Sequence, residues 1–212
     1  MKPIMENWRK FLKEGEGSFD SKVHQLYIPR ACPGKTSEGG CSLPTFLKGD
    51  TSAIQNSPIG KPRGGLWTST AISIPNKEGQ EVLYSSDWNE WVKREMPEWI
   101  SKDGKGILLK PKSSVKVFHI ASDDDLDALK KNFTSDDPMA LAMGGMFPGG
   151  LIDWEKVFEV YDGVHFGRPD GKQSESYDPG GWDAESTVWK SKEAFEEIEK
   201  VKVDVDTGYD EG

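Results

Sequence analysis

The chain has 212 residues, a formal net charge of -9, 35% hydrophobic residues, 8 Trp, 9 Phe, 23 Gly and 13 Pro. This length suits one domain with a tail, and the large aromatics offset a low apolar fraction because each buries much surface. The carboxylate excess excludes sequence-independent binding to duplex DNA or an anionic membrane, which needs clustered Lys and Arg.

Ile4, Trp8, Phe11 and Leu12 share one helical face, so residues 1–14 predict a short amphipathic helix. This segment has no apolar core of the kind a secretion signal carries. No run of about 18 apolar residues follows anywhere, so no spanning helix is expected. A cytoplasmic protein is the resulting expectation. Val23–Ile28 reads as a strand closed by Pro29. Residues 31–60 read as a long polar loop, a feature usually functional or disordered.

Leu66–Ile74 reads as a strand. Asp87, with Glu90 three residues on, predicts a capped helix that carries Trp88, Trp91 and Val92 and closes at Pro97. Gly106–Pro111 and Val115–Ala121 predict strands. Ser122 is expected to cap a helix over Asp123–Phe133, with acids in its first turn and Lys130 and Lys131 in its last. Met139–Met146 is ambiguous. A helix over Asp153–Tyr161, a strand over Gly163–Phe166, a strand over Trp182–Lys190 and a helix over Ser191–Lys200 complete a body expected to span residues 22–200. The Asp- and Gly-rich residues 204–212 read as a flexible acidic tail.

Several signals fail on inspection. Gly34-Lys35-Thr36 lacks the upstream Gly of a phosphate loop, because Pro29 stands there. Cys32 and Cys41 fit neither a zinc pair nor a redox Cys-x-x-Cys, and whether they pair is left open. His119, alternating within a strand, fits a satisfied, partly buried histidine better than a ligand. No metal site is expected.

Two glycine-led segments carry the chemistry. Gly64-Gly65-Leu66-Trp67-Thr68-Ser69-Thr70 delivers three hydroxyls, and Gly180-Gly181-Trp182-Asp183-Ala184-Glu185 delivers two carboxylates. On a strand, Asp183 and Glu185 would share one face about 7 Å apart. Such a pair suits acid–base work or stabilisation of a developing positive charge, and equally an ordinary solvated strand face. Strand hydroxyls can orient a carboxylate or a ribose, although Thr also has plain β-propensity. Arg30 can grip a phosphate in bidentate fashion or serve as a surface residue.

The order of these segments resembles the ADP-ribosyltransferase family of the Arg/Ser-Thr-Ser/Glu-x-Glu type. The resemblance covers residues 22–190. It implies an α+β fold, an ADP-ribosyltransferase-like split β-sandwich of two small sheets flanked by helices. It implies NAD as substrate, with Arg30 on its phosphates and Tyr27 or Trp67 walling the nicotinamide pocket. Thr68 or Ser69 would support the catalytic carboxylate, Thr68 and Thr70 would help bind NAD, and Glu185 would be that carboxylate, with Asp183 two residues before it. The chain departs from the pattern in having Pro29-Arg30 in the first motif, Thr-Ser-Thr in the second and Asp-x-Glu in the last; His24 matches the histidine of another branch instead. The implied chemistry is cleavage of the nicotinamide–ribose bond, by transfer to a protein or nucleic-acid acceptor or by hydrolysis. The competing expectation is a non-enzymatic accessory or structural protein of a larger, for example viral, assembly. A metal-dependent nuclease would need more clustered acids and a basic groove.

Overall fold

A computed structural model describes residues 24–28, 53–57, 60–75, 82–100, 104–143, 152–167, 182 and 184–206. The fold is mixed α+β. Strands β1 (Gln25–Tyr27), β2 (Leu66–Thr70), β5 (Lys105–Pro111), β6 (Val117–Ile120), β7 (Gly163–Phe166), β8 (Ser186–Trp189) and β9 (Phe195–Lys202) form one sheet, ordered β6-β7-β8-β2-β1-β5-β9. Strands β3 (Ile72–Pro75) and β4 (Val82–Ser85) pair separately. Where two small sheets are expected, the described residues form one seven-stranded sheet and one two-stranded hairpin.

Every pairing in the large sheet is antiparallel except β6 with β7. A parallel pair needs a crossover. Here it runs through helices α2 (Asp123–Asn132), α3 (Pro138–Met143) and α4 (Trp154–Val160). Leu126, Leu129, Trp154, Val157 and Phe158 pack α2 and α4 against Phe118, Ile120, Val164, Phe166 and Val188 of the sheet. A second cluster, with Leu66, Ile107, Leu109, Val117, Trp189 and Phe195, fills the other face. Strands β7 and β8 are therefore buried along their whole length.

Most elements follow the sequence pattern, with three informative differences. The expected single strand over Leu66–Ile74 breaks at Ala71, whose N–H is taken by the His24 carbonyl, and the chain then enters the β3–β4 hairpin. The helix expected at Asp87 is capped instead by Ser86, whose hydroxyl accepts from Asn89 N–H. Asp87 becomes the first residue of α1 (Asp87–Glu95), and its side chain is released for other work. The helix expected over Ser191–Lys200 is absent. A short 3-10 turn at Lys192–Ala194 leads into β9, which pairs with all of β5. The unpaired edge of β5 decides this, because its backbone groups need a partner more than β9's residues prefer a helix. β9 exposes Glu196, Glu199, Lys200 and Lys202, a charged edge that resists further pairing.

The ambiguous segment from Met139 is helical as part of α3. Asp204, expected to open the flexible tail, is tied to α1: its carboxylate lies 2.5 Å from Lys93 Nζ, and its carbonyl accepts from Asn89. Residues 1–14, Arg30, Cys32, Cys41 and Asp183 lie outside the described residues. Among the described residues no helix is long and apolar enough to cross a membrane.

Candidate functional site

The site follows from sheet register. The partners His119↔His165, His165↔Thr187 and Thr68↔Thr187 form one transverse row across β6, β7, β8 and β2. Side chains alternate faces along a strand, so residues two positions away in this sheet share the row's face. One step in one direction gives Val117, Gly163, Trp189 and Leu66, an apolar row whose Val117, Trp189 and Leu66 belong to the second core cluster. One step in the other gives Ala121, Gly167, Glu185 and Thr70. These four, with His119, His165, Ile72 and Asp87, line a cavity of about 430 Å³. The middle row is polar, and it separates packed core from open space.

Glu185 sits immediately before β8, at the end of β2. Its Oε2 accepts from the Ser69 hydroxyl at 2.5 Å and from the Thr70 N–H at 2.9 Å. Its Oε1 accepts from the Thr70 hydroxyl at 2.9 Å. Its own N–H donates to Asp87 Oδ2 at 2.7 Å. Backbone and side chain are both clamped, so few rotamers remain open to the carboxylate. Burial pushes its pKa above the ordinary glutamate value, helped by the nearby Asp87 charge, while the Ser69 and Thr70 donors pull the other way.

A hydrogen-bond chain runs behind the carboxylate. Trp189 Nε1–H donates to Thr68 Oγ1 at 2.8 Å, and the Thr68 hydroxyl donates to Gln25 Oε1 at 3.0 Å. Thr187 also donates to Gln25 Oε1, at 3.0 Å. With its single hydrogen used there, Thr187 Oγ1 acts as acceptor towards His165 Nδ1, 2.8 Å away. The proton of the neutral ring therefore sits on Nδ1. Burial, and then the adjacent His119, push the His165 pKa down to about 3. Its 3.3 Å contact with Glu185 Oε1 is accordingly that of a neutral imidazole, not an ion pair.

His119 stands edge-on to His165, with ring centres 4.7 Å apart and planes at 85°. Gly167 makes room for it: a Cβ there would lie 2.6 Å from His119 Nε2.

Of the residues singled out from sequence, Thr70 and Glu185 line the cavity, and the buried Ser69 holds Glu185 from behind. Thr68 is buried behind it, in the Gln25 network. Trp67 projects to the helix-covered face, 5.0 Å from the Trp182 ring, and donates to the Gly64 carbonyl. Tyr27 packs on the second core cluster. Neither Trp67 nor Tyr27 belongs to the cavity wall. Glu185 precedes β8 rather than lying within a strand, so the proposed strand-borne carboxylate pair is not what positions it. Among the described residues, the second carboxylate at the cavity is Asp87, from α1.

Asp87, His165, Gln25 and Thr187 were missed by sequence reasoning, and His119 was set aside. One signal was available: Val117-Phe118-His119-Ile120 and Gly163-Val164-His165-Phe166 each place one histidine in an otherwise apolar strand. Gln25 is likewise fully buried in β1.

Comparison of the chain with protein-family models, with curated proteins and with solved structures returned no match.

Proposed function

We propose that this chain is an NAD-consuming enzyme of ADP-ribosyltransferase type, acting as a transferase or as a glycohydrolase. On this reading the seven-stranded sheet with its hairpin is a variant of the split β-sandwich that such enzymes share. One observation carries the reading: the hydroxyl-rich strand grips a buried carboxylate, Glu185, through Ser69 and Thr70, and presents it to a cavity. The resemblance in sequence gives Glu185 the role of catalytic carboxylate and Thr68 or Ser69 that of its support; Thr70 joins Ser69 in the structure.

The chemistry suits the geometry. Cleavage of the nicotinamide–ribose bond sends the bonding pair to the ring nitrogen and leaves positive charge on the ribose. A fixed, ionised carboxylate aimed at the cavity stabilises that charge without reorganising. The three donors on Glu185 set its direction in advance. The cavity volume of about 430 Å³ lies in the range of small-ligand sites. The test is nicotinamide release from NAD by wild type, Glu185→Ala and Ser69→Ala. Release by wild type that collapses in Glu185→Ala supports the proposal. Equal release by wild type and Glu185→Ala refutes it, and no release by wild type favours the non-enzymatic alternative.

A further inference from the structure

We propose that His119 is the general base on the acceptor side of this reaction, and that the acceptor is a hydroxyl, either water or an alcohol. The inference rests on the reading of Glu185 given above.

Among the described residues, three titratable groups besides Glu185 line the cavity: Asp87, His119 and His165. Asp87 is engaged at Glu185's own backbone, on the carboxylate's side of the cavity. His165 donates its Nδ1 proton towards Thr187, next to Glu185 Oε1, and is buried between them. Its geometry makes it a holder of the carboxylate. His119 lies two strands from Glu185 on the same sheet face and lines the cavity; it is half-buried where His165 is buried, and its Nε2 lies nearer the point that a Cβ at Gly167 would take, 2.6 Å against 3.3 Å for His165 Nε2.

Distance supports this division of labour. The Glu185–His165 contact of 3.3 Å and the 4.7 Å between imidazoles put the His119 ring centre no farther than about 9 Å from the carboxylate. That ceiling falls inside the range of roughly 6.5–9.5 Å at which, in sugar chemistry, two catalytic groups leave room for an attacking water. An imidazole is also the side chain best matched to proton transfer near neutral pH.

The acceptor class follows from the base. A guanidinium has no lone pair to attack with until it loses a proton from a group with pKa above about 12. A hydroxyl attacks through a lone pair it already has and sheds its proton as the bond forms. The step balances: acceptor oxygen bonds to the ribose carbon, the carbon–nitrogen bond breaks, and its electron pair neutralises the nicotinamide ring. The acceptor proton passes to His119 Nε2 and then to solvent.

The experiment measures nicotinamide release from NAD between pH 5 and 9 for wild type, His119→Ala and the bulkier His119→Gln, with and without added imidazole. His165, Asp87 and Glu185 share the cavity, so His165→Gln and Asp87→Asn profiles are recorded alongside. The expected result is a 10²–10⁴-fold loss in both His119 variants. The rising limb of the wild-type profile disappears in them and persists in the other two. Imidazole restores His119→Ala, and methanol diverts wild-type product to the methyl riboside. Unchanged rates in the His119 variants, a loss that imidazole leaves in place, or preferred transfer to agmatine over water and methanol overturns the inference. Release by wild type with His119 variants unaffected overturns this inference alone; no release by wild type overturns the Glu185 reading as well.

Discussion

Glu185→Gln separates the chemistry of the site from its architecture. The amide keeps the shape of the carboxylate and removes its charge. Its oxygen can take the Thr70 N–H that now reaches Oε2 at 2.9 Å, and its NH₂ can donate to Thr70 Oγ1 in place of Oε1. Ser69 turns its hydroxyl to the Glu185 carbonyl oxygen, already 2.8 Å away. No buried donor is orphaned, so the fold is retained. Loss of one preorganised electrostatic partner costs about 2.7–4 kcal/mol in the transition state, a fall in rate on the order of 10²–10³.

Stability moves the other way. Glu185 has a folded pKa above its ordinary value of 4.5. The unfolded chain therefore loses this proton at lower pH than the folded one. The glutamate's stabilising contribution is complete below pH 4.5 and declines as pH rises through the elevated folded pKa. Glutamine does not titrate, so the variant gains on wild type over that window. Nicotinamide release and urea unfolding between pH 4 and 8 read both effects. A Glu185→Gln protein within threefold of the wild-type rate refutes the electrostatic argument, and one that unfolds more readily at pH 7 than wild type refutes the account of its burial.

Ser69→Ala removes one donor from Glu185, lowers stability by about 1 kcal/mol in urea unfolding and raises the glutamate pKa further, so the pH window over which stability declines moves upward. His165, with its pKa depressed from 6.5 to about 3, makes the fold lose stability as pH falls from 6.5 towards 3, at up to about 1.4 kcal/mol per pH unit. Measured in the Glu185→Gln background, that slope is present with His165 and flattened by His165→Gln. Gly167→Ala puts a methyl 2.6 Å from His119 Nε2 and tilts the ring, giving on the order of a tenfold loss of nicotinamide release; thermal melting stays near wild type because a ring edge yields more readily than backbone. Lys93→Met leaves Asp204 without its 2.5 Å partner and lowers stability by about 2 kcal/mol in urea unfolding.

Sequence reasoning reached the two ends of the site. A glycine turn before a hydroxyl strand and a second before a carboxylate are local signals; Gly64 and Gly65 do adopt positive φ, at 79° and 66°. The middle of the site was not legible, because it exists only through register. His119, His165, Thr187 and Thr68 are distant in sequence and become one row when β6, β7, β8 and β2 align. Asp87 was misread for a related reason: as a helix cap its carboxylate would have been engaged, and Ser86 took that role. β9 was misread because Phe195 and Val201 fit either period, and only the open edge of β5 chooses between them.

The most direct test of the account is a crystal structure of the Glu185→Gln protein with NAD, in which slowed turnover preserves the substrate. The account predicts the nicotinamide–ribose carbon in the cavity, against residue 185, with the His119 ring on the opposite side of the ribose. NAD seated elsewhere, or this cavity left empty at saturating NAD, would contradict it.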